Sequence, residues 1–428
     1  MEKVLTKNIV PGNGARGIDD YEKTGGYSAY RKAVCELTPA DIVKLVTDSG
    51  LKGRGGAGFP TGAKWSLTMP IEKSARPRYF VCNFDEMEPG TFKDRFLVEN
   101  DPHQLIEGLA IASYACRMDV AFLFIRGEYV QAAKILAKAL EEARNKGLIG
   151  KNVFGKGWDF EMHIHTSAGR YMCGEETGLL NSLEGGRANP RSKPHYPGTS
   201  GVWGKPTVVN NVETLCCVPH IVENGAEWFK SLGKAKDSGT KIYGASGKVN
   251  KPGAFELPMG STLREVIFEQ AGGMQQGYSF RAALPGGAST QFMDESLLDV
   301  PLEFESMKEI KHFFGTGVAV VLDDKTCPVG MCHNLLAFFA RESCGWCTPC
   351  REGLPWLRNV LLRLERGLGE PGDIDALLVD QARLLGPNTY CALALGAVQP
   401  LLSAIELFRA DFEAHIDLKK CPYKQGIG

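Results

Sequence analysis

RYFVCNFDEMEPGTF, residues 78–92, couples a short apolar run to a loop carrying three carboxylates, Asp85, Glu86 and Glu88. The first part, RYFVCN (78–83), is aromatic and β-branched without polar alternation, so it reads as a strand covered on both faces. Working outward, strands and helices alternate. DPHQLIEGLAIASYA (101–115) reads as a helix, VAFLFIRG (120–127) as a strand and EYVQAAKILAKALEEARNKG (128–147) as a strongly periodic helix. FEMHIHT (160–166) is a further strand that leads to a helix start in CGEETGLLNSLEG (173–185). Upstream, TPADIVKLVTDSG (38–50) is a helix with Thr38 to cap it, Pro39 in its first turn and Gly50 to end it. This alternation predicts an α/β fold, a mainly parallel sheet covered by helices. Ligands of such sheets sit outside the carboxyl ends of the strands. Asn83, Asp85, Glu86 and Glu88 are therefore a candidate binding rim, shared with Gly174, Glu175 and Glu176 after a later strand.

Two further stretches belong beside that rim. GRGGAGFPTGAKW (53–65) formally matches GxGxxG, but it follows a helix where a dinucleotide fingerprint follows a strand. Its glycines, lacking Cβ, still let backbone N–H groups approach a ligand closely, and Arg54 and Lys64 add positive charge. NNVETLCCVPHIVENG (210–225) reads as a helix that Asn210 caps, with Glu213 at capping-box spacing. The first N–H groups of such a helix suit an anionic phosphate. The stretch before it, residues 185–206, reads as irregular. His163 and His165 read as structural, and Cys216 and Cys217 as helix core.

The 428 residues carry a formal net charge of −1 and are 43% hydrophobic, a globular composition. At ~100–200 residues per domain this length suits two or three. Lys and Arg are dispersed, which gives no electrostatic footprint for nucleic acid. The N-terminal stretch has no apolar segment of a secretory signal. Apolar runs such as 121–125 and 318–322 are core strands in length and far short of the ~20 residues of a membrane span.

A polar stretch at 234–239 marks a boundary. KIYGASG, the turn NKPG, AFELP, the helix STLREVIFEQAGG and the strand FRAALPGG follow, and suggest a small α+β unit of β-grasp (ubiquitin-like) type. From residue 328 four helical stretches with short connections suggest a bundle: VGMCHNLLAFFARES, LPWLRNVLLRLERG, DIDALLVDQARLLG and ALGAVQPLLSAIELFRADFEAH. Between the first two lies ESCGWCTPCREG (342–353), with Cys344, Cys347 and Cys350 at CxxCxxC spacing. The 13 cysteines are odd in number and otherwise scattered, which favours metal binding over disulfides for this group. A zinc site of four cysteines usually takes two separated CxxC pairs. One tripled run instead wraps several corners of a [4Fe–4S] cluster, with a remote cysteine on the last iron. Leu354 stands where a ferredoxin-type run has its fourth cysteine. The remaining ligand is one of Cys327, Cys332, Cys391 and Cys421, and spacing does not choose among them.

GRGGAGFPTGAKW, CNFDEMEPGTFKDR, GRYMCGEETGLLNSLEG, RANPRSKPHYP, GKPTVVNNVET and ARESCGWCTPCREG, in this order, resemble the family of NADH-binding flavoprotein subunits of respiratory complex I, the bacterial NADH:quinone oxidoreductase. The resemblance runs from about residue 25 to 415. It implies FMN, one [4Fe–4S] cluster and NADH as substrate, with hydride passing from NADH to FMN and single electrons on to the cluster and toward quinone. It divides the chain into an N-terminal extension (1–35), a Rossmann-like FMN/NADH-binding α/β domain (36–235), a β-grasp domain (236–327) and a helical bundle with the cluster (328–428). It places the fourth cluster ligand on Cys391, beside Cys344, Cys347 and Cys350. It implies FMN contacts at Arg54, Gly55, Lys64, Asn83, Asp85, Glu86, Gly174, Glu175, Asn210 and Asn211. NADH contacts fall on Phe59, Lys64, Glu88, Tyr171, Glu176, Lys193 and Tyr196, with Glu88 and Glu176 orienting the nicotinamide and ribose rather than acting as acid–base groups. The implied partners are a small thioredoxin-like [2Fe–2S] subunit and a large iron–sulfur subunit. The implied location is the peripheral arm on the cytoplasmic side of the inner membrane, without membrane insertion. Leu67 stands where some members have an aromatic residue that stacks on adenine, Tyr196 replaces a phenylalanine and Phe84 a smaller residue. The segment TYCALALGAVQP lacks the histidine that near relatives carry just after the cluster's last cysteine.

Overall fold

The computed structural model describes residues 2–68, 76–192 and 196–423. Strands β1 (Tyr79–Phe84), β2 (Val120–Ile125), β3 (Glu161–Thr166) and β4 (Thr207–Asn211) form a wholly parallel sheet in the order β3-β2-β1-β4. Alternate residues face opposite layers, as strand geometry requires. Phe80, Cys82 and Phe84 of β1 and Ala121, Leu123 and Ile125 of β2 share one core with helices Pro102–Ala115, Val130–Asn145 and Val212–Asn224. Val81, Phe124 and Val209 point the other way, onto Leu179, Leu180 and Leu183 of helix Glu176–Leu183.

β4 corrects the expected irregular run into a helix at Asn210. Only Val208 and Val209 give it apolar character, and pairing with β1 makes it a strand. The helix cap is Asn211, whose Oδ1 accepts from Glu213 N–H at 3.0 Å. Asn210 stays in the strand and accepts from Trp65 Nε1 at 2.8 Å.

The segment before residue 36 packs into the first core. Tyr21 Oη donates to Glu107 at 2.5 Å, and the N–H groups of Tyr27 and Tyr30 donate to the same carboxyl at 3.0 Å each. Burial pushes the Glu107 pKa up to about 7.

The second sheet contains β5 (Thr240–Ser246), β6 (Gly253–Pro258), β7 (Phe280–Leu284) and β8 (Val318–Asp323), ordered β6-β5-β8-β7. β5 and β8 pair in parallel and the outer strands antiparallel, and a helical turn at Glu265–Gln270 packs beneath. This is the expected β-grasp arrangement. The rest is helical: Pro328–Glu342, Thr348–Glu365, two consecutive segments Asp373–Val379 and Asp380–Leu385, Leu393–Leu407 and Arg409–Asp417. The last expected helix is two helices, bent by 80°. Phe408 leaves helical geometry at the bend and packs edge-on against Phe292. Among the described residues no single helix is long and apolar enough to cross a membrane.

Candidate functional site

From β1 the chain moves to β2 and β3 on one side, then returns to β4 on the other. The crevice where a parallel sheet reverses direction lies outside the carboxyl ends of β1 and β4. Register pairs Asn83 with Asn211 there. The glycine loop closes on the same point. A Cβ built on Gly55 would stand 3.2 Å from Asn211 Cβ, tighter than ordinary packing, and Arg54 N–H donates to Thr214 Oγ1 at 2.8 Å. Gly174 faces open space, with no atom within 4 Å of where its Cβ would be.

The acidic loop divides its three carboxylates among different tasks. Asp85 is buried; Oδ1 accepts from Ser167 Oγ at 3.0 Å, while Oδ2 makes no hydrogen bond in ordinary geometry. Burial pushes its pKa up to about 6, against the pull of Ser167, Cys173 and Arg126. Its N–H donates to Asn83 Oδ1 at 3.0 Å. Glu86 turns away to helix Lys93–Asn100, where it accepts from the N–H groups of Asp94 (2.8 Å) and Arg95 (3.1 Å) and from Tyr129 Oη (3.0 Å). Burial, reinforced by Asp94, pushes it up to about 7. Glu88 reaches toward the second sheet and accepts from Ser289 N–H at 2.7 Å and Tyr171 Oη at 2.6 Å; burial raises its pKa.

Lys64 Nζ lies 2.8 Å from Glu176 Oε2, 3.2 Å from the Val209 carbonyl and 6.0 Å from the centre of the Phe59 ring. Phe59, Leu67 and Tyr196 are each more than half exposed, and Leu67 borders Gly198, two residues beyond Tyr196. The Arg54 guanidinium is buried beneath the second sheet, bonded to the carbonyls of Ser238 (2.7 Å) and Thr240 (3.3 Å), so only its backbone faces the crevice. Glu175 caps helix Glu176–Leu183 by accepting from Gly178 N–H at 2.7 Å. Lys193 lies outside the described residues.

Lys93 has no sequence signal, being one charged residue in a polar loop, yet it is buried at this crevice. It is 2.7 Å from Asp94, 2.9 Å from Glu213 and 3.2 Å from Asn211 Oδ1. Burial opposes its charge, but Asp94, Glu213 and Glu86 outweigh that and raise its pKa.

At the bundle, Cys344, Cys347, Cys350 and Cys391 line one small cavity, together with Met172, Pro190, Ser343, Trp346 and Leu393. No disulfide joins them. Burial pushes Cys350 up to about 12 and Cys391 up to about 11. Ser343 Oγ sits 3.2 Å from Cys350 Sγ. Four thiols converging on an otherwise apolar cavity fit an iron–sulfur cluster, whose binding displaces their protons. Of the remaining candidates, Cys332 turns to the Pro400 carbonyl, 3.8 Å away, and Cys327 and Cys421 lie elsewhere in the bundle. The crevice likewise fits a flavin: an unpartnered buried carboxylate oxygen at Asp85, a loop held open by Gly55 and free space before Gly174.

Tyr171 joins the two places. Its hydroxyl bonds Glu88 on the rim, its N–H donates to Glu342 Oε2 at 3.1 Å, and its neighbour Met172 lines the thiol cavity.

Residues 46–220 match the Nuo51 FMN-binding domain, 330–415 the NADH-ubiquinone oxidoreductase-F iron-sulfur binding region and 244–292 the SLBB domain. The NADH-quinone oxidoreductase F-subunits of Salmonella typhimurium and Escherichia coli are each 56% identical over 400 residues, 93% of this chain and 89% of theirs. An F-subunit of Rhizobium meliloti, the second of that name, is 49% identical over 424 residues, 99% of this chain and 100% of its own. Among solved structures, a chain of an NAD+-reducing [NiFe]-hydrogenase in the air-oxidized state superposes with a TM-score of 0.82 at 35% identity, covering 94% of this chain and 67% of that one. With identity this high over nearly its whole length, the chain belongs to the F-subunit family of NADH-quinone oxidoreductases.

Proposed function

We propose that this chain is the electron-input subunit of an NADH:quinone oxidoreductase, taking hydride from NADH and passing electrons singly through an iron–sulfur cluster toward quinone. The adjacency built by residues 171 and 172 carries this reading: one residue bonds the crevice rim and the next lines the four-thiol cavity. Bound FMN supplies the conversion, since it accepts two electrons together and releases them one at a time. The chain supplies position. Asn83, Asp85 and Asn211, with the backbone of Arg54, Gly55, Glu86 and Gly174, would hold the flavin's polar edge and ribityl chain. Asn210 fixes Trp65 beneath that site. Lys64 and Glu176, already paired, and Glu88 orient the nicotinamide and ribose, and Glu175 shapes the adjoining helix start. Orientation is the principal catalytic device in such a transfer. Phe59 and Tyr196 offer exposed rings to adenine, where stacking adds ~0.5–1.5 kcal/mol; Lys193 follows from the family resemblance alone. Cys344, Cys347, Cys350 and Cys391 hold the cluster. Arg351, bonded to the Gly345 carbonyl at 3.0 Å and paired with Glu352 at 2.8 Å, holds the cluster loop in place.

Residues 36–235, 236–327 and 328–428 form the flavin, β-grasp and cluster domains in this reading. Trp346, Trp356, Leu384 and Tyr390, exposed on the bundle, offer apolar surface for a large iron–sulfur subunit, and a small thioredoxin-like [2Fe–2S] subunit completes the electron-input module. The protein then sits in the peripheral arm, on the cytoplasmic side of the membrane. Identity of 56% to the quinone-reducing family against 35% to the hydrogenase chain favours quinone-linked over hydrogen-linked chemistry. Anaerobic titration of the purified protein with NADH tests the reading. Flavin absorbance is expected to bleach, with loss of cluster absorbance following. Flavin-loaded protein that stays oxidised under excess NADH would refute it.

A further inference from the structure

A second group of ligand-bearing side chains lies apart from the thiol cavity. One ligand atom each from Cys327, Glu365, His415 and Cys421 lies within 4.8 Å of all the others. Cys327 precedes helix Pro328–Glu342, Glu365 ends helix Thr348–Glu365, His415 belongs to helix Arg409–Asp417 and Cys421 to the tail beyond. Glu365 Oε1 is 3.0 Å from Cys327 Sγ and 3.2 Å from His415 Nε2, and those two atoms are 3.4 Å apart. Glu365, His415 and Cys421 are buried and Cys327 is partly so. None of the four lines the cavity around Cys344 and Cys391.

The histidine tautomer follows from its other nitrogen. Nδ1 lies 2.6 Å from the Asp411 carbonyl, which can only accept, so Nδ1 carries a proton and Nε2 is the nitrogen turned to the group. Gly330 N–H, in the first turn of its helix, donates to Cys327 Sγ at 3.3 Å, while burial and the Glu365 carboxylate keep the metal-free sulfur protonated by raising its pKa. The group therefore brings an imidazole nitrogen, a carboxylate and two sulfurs together. We propose that Cys327, Glu365, His415 and Cys421 form a structural zinc site, separate from the iron–sulfur cysteines. Two thiolates, one imidazole and one carboxylate suit a borderline-soft dication, and four protein ligands leave no open position for catalysis. Zinc displaces the two thiol protons and no electrons move. The ion would tie the start of the first bundle helix, the end of the second, the last helix and the tail into one unit.

Metal analysis of the intact complex, purified from zinc-replete cells and passed over a chelating resin, tests this. About one zinc per chain is expected in addition to the cluster iron, and the zinc K-edge spectrum should show a mixed sulfur and nitrogen or oxygen shell. His415→Ala and Cys421→Ser should each lose the zinc, keep FMN, iron and sulfide, and expose the last helix to proteolysis. Less than about one-tenth of a zinc per chain overturns the proposal, as does zinc retained in both variants. An all-sulfur shell overturns it too, because it would place the zinc among Cys344, Cys347, Cys350 and Cys391. If both variants fail to fold, the metal content and edge spectrum of the unaltered protein decide.

Discussion

Asp85 is the residue whose state reports most directly on the crevice. It is buried with one oxygen unpartnered, and its pKa stands at about 6 against an ordinary 3.8. A ligand that donates to Oδ2 favours the carboxylate and lowers that pKa, so binding is strongest above about 6 and weakens as pH falls through it. FMN affinity of the apoprotein, followed by quenching of flavin fluorescence, is expected to fall up to about tenfold between pH 6.5 and 5. Asp85→Asn should flatten that dependence; parallel profiles would remove Asp85 from the flavin site. Tyr171→Phe deletes a donor to the partly buried Glu88 carboxyl. It is expected to raise KM for NADH more than it lowers kcat and to cost about 1–3 kcal/mol of stability. An unchanged KM with normal stability would argue that Glu88 does not orient NADH. The crevice carboxylates are visible in the sequence because they follow a strand. Their division of labour is not, because it depends on helix Lys93–Asn100 and the Ser289 loop, which reach Glu86 and Glu88 from elsewhere in the chain.

Helix Val212–Asn224 ties the flavin crevice to the second sheet through Glu213. One carboxylate oxygen accepts from Ile242 N–H at 2.8 Å, and the other meets Lys93 at 2.9 Å and Lys241 at 3.0 Å, all fully buried. Burial works against the Glu213 charge, but Lys241, Lys93 and Arg54 pull its pKa down to about 2. A depressed acid pKa contributes stability above the unfolded value of 4.5, and that contribution is lost as pH falls from there toward about 2. Glu213→Gln leaves two buried lysines undercompensated and is expected to cost about 3–5 kcal/mol at pH 7, a difference that shrinks below pH 4.5. Chemical denaturation across that range checks it; a loss below about 0.5 kcal/mol at pH 7 would contradict the network. In the sequence Glu213 is legible only as half of a capping box, with the cap one residue early at Asn210. The pattern of N-x-x-E fits a cap locally, whereas β1 pairing extends β4 through Asn211 and moves the cap onward. Long periodic helices such as Val130–Asn145 can be read directly, since their stripe depends on their own residues.

At the scale of the whole molecule, the order of motifs reveals the family, but convergence does not follow from spacing. Cys327, Cys332, Cys391 and Cys421 are equal candidates until the turn of the bundle brings Cys391 alone to the tripled cysteines. The bundle's outer face follows the same logic: Trp356 lies exposed on helix Thr348–Glu365, and Trp356→Ala is expected to weaken association with the large iron–sulfur subunit proposed as its partner by about tenfold or more. Unaltered binding in a titration of the purified subunits would move the partner to another surface. In the proposed function one chain couples a two-electron crevice to a one-electron cavity built by four cysteines. Freeze-quench EPR after mixing one equivalent of NADH tests it most directly, on the unaltered protein and on Cys391→Ser with its FMN intact. A reduced iron–sulfur signal is expected in the first and none in the second, whose flavin still bleaches. A normal [4Fe–4S] signal in Cys391→Ser, or bleaching without any cluster signal in the unaltered protein, would contradict it.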